Sequence, residues 1–172
     1  MTTISASQVK ELREKTGLGL MDCKKALEEA NGDLDLAIEE LRKTSGLKAS
    51  KKSGRSAADG LIAIKSNGND YFMIEVNCET DFVARDDSYI KFTNETLNTF
   101  VDNSDKSLED LLAEGIEENR EKLVQKLGEN IVVRRVAKTE NSTITGSYLH
   151  SNNKIGCIIS LEGGSEALAN DI

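Results

Sequence analysis

A chain of 172 residues with 38% hydrophobic and 30% charged side chains is long enough to bury a core without metal or disulfide support. Its net charge of −8 argues against direct nucleic-acid binding, which draws affinity from clustered Lys and Arg along a phosphate backbone. Cys23, Cys78 and Cys157 are widely spaced and read as reduced thiols; apolar runs such as Cys157–Ile159 are too short to cross a bilayer; and no signal-peptide pattern opens the sequence, so a cytoplasmic protein without membrane contact is expected.

The first segment predicts three short helices. Ser5 or Ser7 can cap the first, which carries Val9 and Leu12 and ends before Gly17. The second runs roughly over 21–30, with Met21, Ala26, Leu27 and Ala30 on or near one face. Asn31-Gly32-Asp33 stops it, and Asp33 can cap a third helix carrying Leu34, Ala37, Ile38 and Leu41 at amphipathic spacing. Helices this short do not persist alone, so residues 1–44 are expected to pack as one three-helix domain. Over 45–56 the apolar content drops and Lys48, Lys51, Lys52 and Arg55 appear, which reads as a solvated linker or a fraying helix extension.

Strand patterns follow. Gly60–Lys65 and Tyr71–Cys78 form a hairpin candidate around Asn67-Gly68, with Phe72, Ile74, Val76 and Cys78 on one face and Glu75 and Asn77 on the other. Ile90, Leu97, Phe100 and Val101 mark a helix. A second helix spans Leu108, Leu111, Leu112, Ile116, Leu123, Val124 and Leu127, capped by Asp105 or Ser107 and ended by Gly128. Strands return at Ile131–Ala137, Thr145–His150 and Lys154–Leu161. The order predicts an α+β core with helices on one face of an antiparallel sheet, its first half over 57–140 and the start of a second over 141–172. Another helix begins at Ser165, so the sequence is expected to stop short of a longer chain.

Candidate chemistry is sparse. His150, the single histidine, would have to serve any nucleophile–His site, with Cys157 or a serine nearby in space, and no nucleophile-elbow or Cys–His signature surrounds it. The lone cysteines lack zinc spacing, and there is no phosphate-cradling Gly-rich loop. No catalytic residue, metal or cofactor is expected. Asn77–Asp87, NCETDFVARDD, is the segment that stands out, because Phe82 and Val83 sit in a charged connection after a strand. Phe82 is either an anchor folded onto the core or a probe for another protein's pocket, and composition alone favours the anchor.

Several stretches, in order, resemble the elongation factor Ts family. They are VKELREKTGLGLMDCKKALEEANGDLDLAIEELRK (Val9–Lys43), EVNCETDFVARDD (Glu75–Asp87), LGENIVVRRVA (Leu127–Ala137), and GSYLH followed by IGC within Gly146–Cys157. The resemblance implies a guanine nucleotide exchange factor for elongation factor Tu in translation elongation. Such a factor binds the GDP-bound partner, promotes GDP release by displacing magnesium, and stays on the nucleotide-free form until GTP enters. It further implies a ubiquitin-associated-like N-terminal bundle, with Lys24 in a contact with the partner, and a core of two related halves. Thr80, Asp81, Phe82 and Val83 match the family's magnesium-dislocation motif, with Phe82 entering between two partner helices and Asp81 beside it. Leu127, Gly128 and His150 match further interface positions; Leu127 stands where isoleucine is frequent, and Arg85 and Asp86 depart mildly from the family pattern. A homodimer or a 2:2 complex with elongation factor Tu stays open at this point. So do two rival readings, a helical adaptor without exchange activity and an enzyme using His150 and Cys157.

Overall fold

The computed structural model describes residues 4–139 and 144–172. They fall into two compact units, one made of residues up to 55 together with 118–130, the other of 56–117 and the residues from 131 onward. The architecture is α+β: N-terminal helices, then antiparallel sheets and further helices.

In the first unit α1 (Ala6–Thr16), α2 (Leu20–Glu29) and α3 (Leu34–Lys52) enclose Leu12, Leu18, Cys23, Leu27, Ala37 and Leu41. Ser5, not Ser7, caps α1: its side chain accepts the Gln8 amide, and the Gln8 side chain accepts the Ser5 amide at 3.0 Å. Asp33 caps α3 through the amides of Asp35 and Leu36, both at 3.0 Å. Met21 departs from expectation, being 72% exposed. Cys23, Ala26, Leu27 and Ala30 form the inward stripe at i, i+3, i+4 and i+7, and a residue two positions before Cys23 points to the opposite side.

Of the two readings left open for 45–56, the helix extension describes 45–52: α3 runs to Lys52, because Ser45 and Ala49 prolong the buried stripe that Leu41 begins. That stripe faces a later helix, α7 (Glu117–Leu127). Ser45 Oγ lies within hydrogen-bonding reach of the Gln125 side chain, Arg42 pairs with Glu118 at 3.3 Å, and Lys52 donates to the Gly128 carbonyl. The last contact puts a cation at a helix C-terminus, where the helix dipole favours it. Buried Asn130 then donates to the Arg55 carbonyl at 2.8 Å.

In the second unit β1 (Asp59–Asn67), β2 (Asp70–Cys78) and β3 (Val132–Lys138) form an antiparallel sheet in that order. Phe72, Ile74, Val76 and Cys78 are all buried, as their alternation requires. Glu75, on the other face, accepts from Arg135 Nε at 2.6 Å. A single turn, α4 (Asp81–Ala84), leads into α5 (Asp87–Asp102), which packs on β1 and β2. The Phe72 and Phe100 rings meet edge to face at 5.5 Å, and the buried Tyr89 hydroxyl donates to the Val76 carbonyl at 2.7 Å, beside a bulge in the β2–β3 register. Ile90 turns outward, and Tyr89 and Phe92 take the inward positions of that helix.

The expected long helix over 108–127 is broken. α6 (Leu108–Leu111), capped by Ser107 rather than Asp105, gives way at Glu114 and Gly115, whose φ of 119° lies in the left-handed region, before α7 begins. β4 (Ile144–Leu149) and β5 (Gly156–Leu161) make a separate two-stranded sheet instead of extending the first one, with α8 (Glu166–Asp171) against β4. The turn of that hairpin is held to β1: the Ile62 amide donates to the Asn153 carbonyl at 2.6 Å, and Lys154 pairs with Asp59 at 2.8 Å. Among the described residues, no helix is long and apolar enough to cross a membrane.

Gly60 has φ 145°, and a Cβ there would sit 2.2 Å from the Val76 carbonyl oxygen. Gly60→Ala is therefore expected to destabilise the protein by about 2–3 kcal/mol, read as a lower urea midpoint, since the clash is with backbone and not with a movable side chain. The Asp59 carboxyl is held below the usual carboxylate range, first by the Lys154 hydrogen bond and then by the Gly60 amide. A depressed carboxylate contributes stability above its unfolded pKa, about 3.9, and that contribution is lost as pH falls through the lower folded value. Asp59→Asn should flatten the acid limb of the unfolding midpoint against pH while leaving the slope near pH 7 unchanged.

Candidate functional site

The exposed aromatic of the second unit is placed by a short run of local choices. After β2, Thr80 adopts extended backbone and its hydroxyl accepts the Val83 amide at 3.4 Å, capping α4. One turn of helix points consecutive side chains about 100° apart, so burying two of them throws a third outward. Val83 and Ala84 are the buried pair, at 9% and 7% exposure. Phe82 is the outward one, at 82% exposure.

The composition-based expectation of a core anchor is thus overturned at Phe82 and met one residue later, at Val83. The physical reason is register, because a cap at Thr80 fixes which residues of the turn face the sheet. Asp81 leads the turn, where a carboxylate suits the helix N-terminus, and pairs with Arg85 Nη2 at 2.8 Å. Asp86 then caps α5 by accepting the Ser88 amide at 2.8 Å, so the turn is bracketed by two caps. Thr80, Asp81, Phe82 and Val83 divide the work: cap, ion pair, exposed ring, buried anchor.

Asp81, Ala84 and Arg85 line one groove with Ser151, Asn152, Asn153 and Lys154 of the β4–β5 turn. The structure therefore brings the Phe82 turn beside the segment that follows His150. His150 is exposed at the end of β4, and its Nδ1 lies 2.7 Å from the Tyr148 hydroxyl. Its nearest ring neighbour is also Tyr148, with centroids 6.1 Å apart. Cys157 is exposed as well, and Cys23 and Cys78 are buried in the manner of small apolar side chains.

The remaining sequence-derived positions belong to the first unit. Lys24 is exposed on α2 and pairs with Glu28 at 3.7 Å, one helical turn on. Leu127 is half-buried at the end of α7, and Gly128 follows with φ 83°, its carbonyl taken by Lys52. Sequence reasoning missed two neighbours of Lys24. Leu20 and Met21, at 52% and 72% exposure, lie one turn before it at i−4 and i−3 and make that face of α2 apolar as well as basic. The signal was available, since the inward stripe beginning at Cys23 leaves Leu20 and Met21 no place in the core.

Among the described residues, no group of three or more His, Cys, Asp or Glu side chains is arranged to hold a metal ion. The arrangement offers an exposed aromatic on a doubly capped turn, an ion pair beside it, and an adjoining groove.

Residues 79–172 match the family described as elongation factor TS, a region that opens one residue before the Thr80 cap. Elongation factor Ts of Marinobacter nauticus and that of Hahella chejuensis are each 52% identical to this chain over 174 aligned positions, covering 100% of the chain and 60% of the relative. Elongation factor Ts of Arthrospira platensis is 47% identical over 180 positions, covering 100% of the chain and 72% of the relative. The chain spans 60% of the length of the first two relatives and aligns with them from end to end. With the Phe82 turn inside the matched region and about half of all positions identical, this chain belongs to the elongation factor Ts family.

Proposed function

We propose that this chain acts on elongation factor Tu as a guanine nucleotide exchange factor, binding the GDP form, releasing GDP by disturbing the magnesium site, and holding the nucleotide-free form until GTP enters. The observation that carries the reading is the Phe82 ring, 82% exposed and held out by a turn whose next two residues are buried. Membership of the family and its printed name, elongation factor Ts, supply the partner class.

The thermodynamics constrain how such a probe works. Factor and GDP must each weaken the other's hold on the same partner, because coupling free energy is reciprocal. The factor therefore needs contacts that form only when the nucleotide site is deformed. Magnesium demands near-octahedral coordination at short range, so a small displacement of the partner's backbone suffices to break it and leave phosphate charge uncompensated.

Weakening GDP a thousandfold takes roughly 4 kcal/mol, at about 1.4 kcal/mol per factor of ten. Burying one phenylalanine side chain contributes about 1.5–3 kcal/mol. Phe82 alone falls short, and further contacts have to supply the difference. The exposed Lys24 face of α2, the Leu127–Gly128 end of α7, and His150 are the positions assigned to that role.

Mixing the chain with elongation factor Tu bound to a fluorescent GDP is expected to accelerate release in a manner that excess magnesium suppresses. Phe82→Ala should cut the acceleration about tenfold or more while changing affinity for the nucleotide-free partner less. Undiminished acceleration by that variant sinks the wedge. Lys24→Ala should chiefly weaken complex formation, by about three- to tenfold in titration calorimetry, as suits one partly exposed charge at an interface rim; wild-type affinity would remove Lys24 from the contact.

A further inference from the structure

His150 follows directly on β4, whose residue Tyr148 stands two positions earlier, and the phenol and the imidazole meet beside the strand's end. The Tyr148 hydroxyl reaches His150 Nδ1 at 2.7 Å, with the two rings tilted by 44°. Backbone hydrogen bonds fix the base of the pair: the His150 amide donates to the Ile155 carbonyl at 2.9 Å, and the Asn153 amide donates to the His150 carbonyl at 2.8 Å. Tyr148 is 54% exposed, more than a phenol and its ring normally are when they serve only the core.

A neutral imidazole carries one proton, and the partner of one ring nitrogen decides which nitrogen holds it. The 2.7 Å contact fits either direction, Tyr148 Oη–H to Nδ1 or Nδ1–H to Oη. A phenol is the stronger donor of the two groups, which favours Nδ1 as acceptor and leaves the proton on Nε2. Ser151–Lys154, the turn that begins after His150, lines the same groove as Asp81 and Arg85.

We propose that Tyr148 is a positioning residue for partner recognition: it orients the His150 ring and fixes it as the Nε2–H tautomer, so that His150 offers a single, directed hydrogen bond to a neutral acceptor such as a backbone or amide carbonyl on the partner. The proposal rests on the exchange reading above for its consequence, but not for its geometry. A histidine without such a partner exchanges between its two tautomers, so either nitrogen can present a lone pair to a carbonyl. Fixing the tautomer removes that mismatch before binding, which favours the bound geometry by preorganisation.

The test has two arms. The chain contains one histidine, so its imidazole nitrogen signals need no assignment. Nitrogen-15 spectra, recorded at alkaline pH where the imidazole signals no longer change, should show a dominant Nε2–H form in the wild type and a larger Nδ1–H share in Tyr148→Phe. Dominant Nδ1–H, or identical spectra for the two proteins, overturns the proposal. In the second arm, release of fluorescent GDP from elongation factor Tu by Tyr148→Phe should need about three- to tenfold more protein for half-maximal acceleration, with the rate at saturation little changed, as expected for loss of one oriented hydrogen bond. A changed tautomer with unchanged concentration dependence shows that the partner does not use the oriented donor and also overturns it. A wild-type chain without effect on release fails the exchange reading itself, and the recognition role falls with it whatever the spectra show.

Discussion

The Thr80 cap is the small constraint on which the candidate site depends. An N-cap contributes on the order of 1 kcal/mol, little beside a core. Its effect here is geometric, since it sets where the turn starts and hence which side chains of Asp81–Ala84 face the sheet. Start the turn one residue earlier and the helix rotates by about 100°, carrying the ring of Phe82 into the buried place that Val83 now holds. The exposed ring carries a standing cost, because its apolar surface remains in water. The burial of Val83 and Ala84, the Asp81–Arg85 ion pair and the second cap at Asp86 offset that cost locally.

Much of the fold was legible because it rests on periodicity. The stripe Leu34, Ala37, Ile38, Leu41 and the alternation Phe72, Ile74, Val76, Cys78 each admit one placement, and both faces are buried or half-buried as their spacing requires. The misreadings have separate sources. Ser45 and Ala49 are small and nearly neutral in character, so composition leaves a linker and a helix extension both open, yet they are what a close helix–helix approach needs. Gly46 makes the same point, for a Cβ there would already lie 3.2 Å from the Glu121 carboxylate of α7. A partner helix so distant in sequence leaves no trace in the local pattern. The break at Gly115 was hidden for the opposite reason. The apolar spacing on both sides of it is helical, and one glycine inside such a run reads as a tolerated weakness instead of a left-handed turn.

The site divides along the same line. That Asn77–Asp87 was unusual was plain from an aromatic among four acidic residues and an arginine, but composition pointed Phe82 inward. Burial statistics rank residue types, whereas the orientation of a side chain in a single helical turn is decided by its cap and by its neighbours' share of the core. Val83 and Ala84 already fill the space beneath the turn, so a ring has none left to enter. Met21 failed in the same way: an apolar residue near an amphipathic face was counted with it, although the stripe from Cys23 to Ala30 was complete without it.

A rigid mount matters more for a wedge than for an ordinary contact. An aromatic on a loose loop would have to surrender its freedom on entering a partner, at about 0.5–1.5 kcal/mol for each side chain immobilised, with backbone ordering added. Against about 1.5–3 kcal/mol available from burying the ring, that cost would leave little to act on a metal site. Here the backbone at Phe82 is ordered in advance by caps on either side of the turn and by two buried side chains within it. Only the ring's own rotation remains to be fixed, so under the proposed exchange reading most of its burial energy would be left to act on elongation factor Tu. The same reasoning extends to His150, whose ring is hydrogen-bonded to a phenol two residues away: at both places the side chain is held by contacts within this chain.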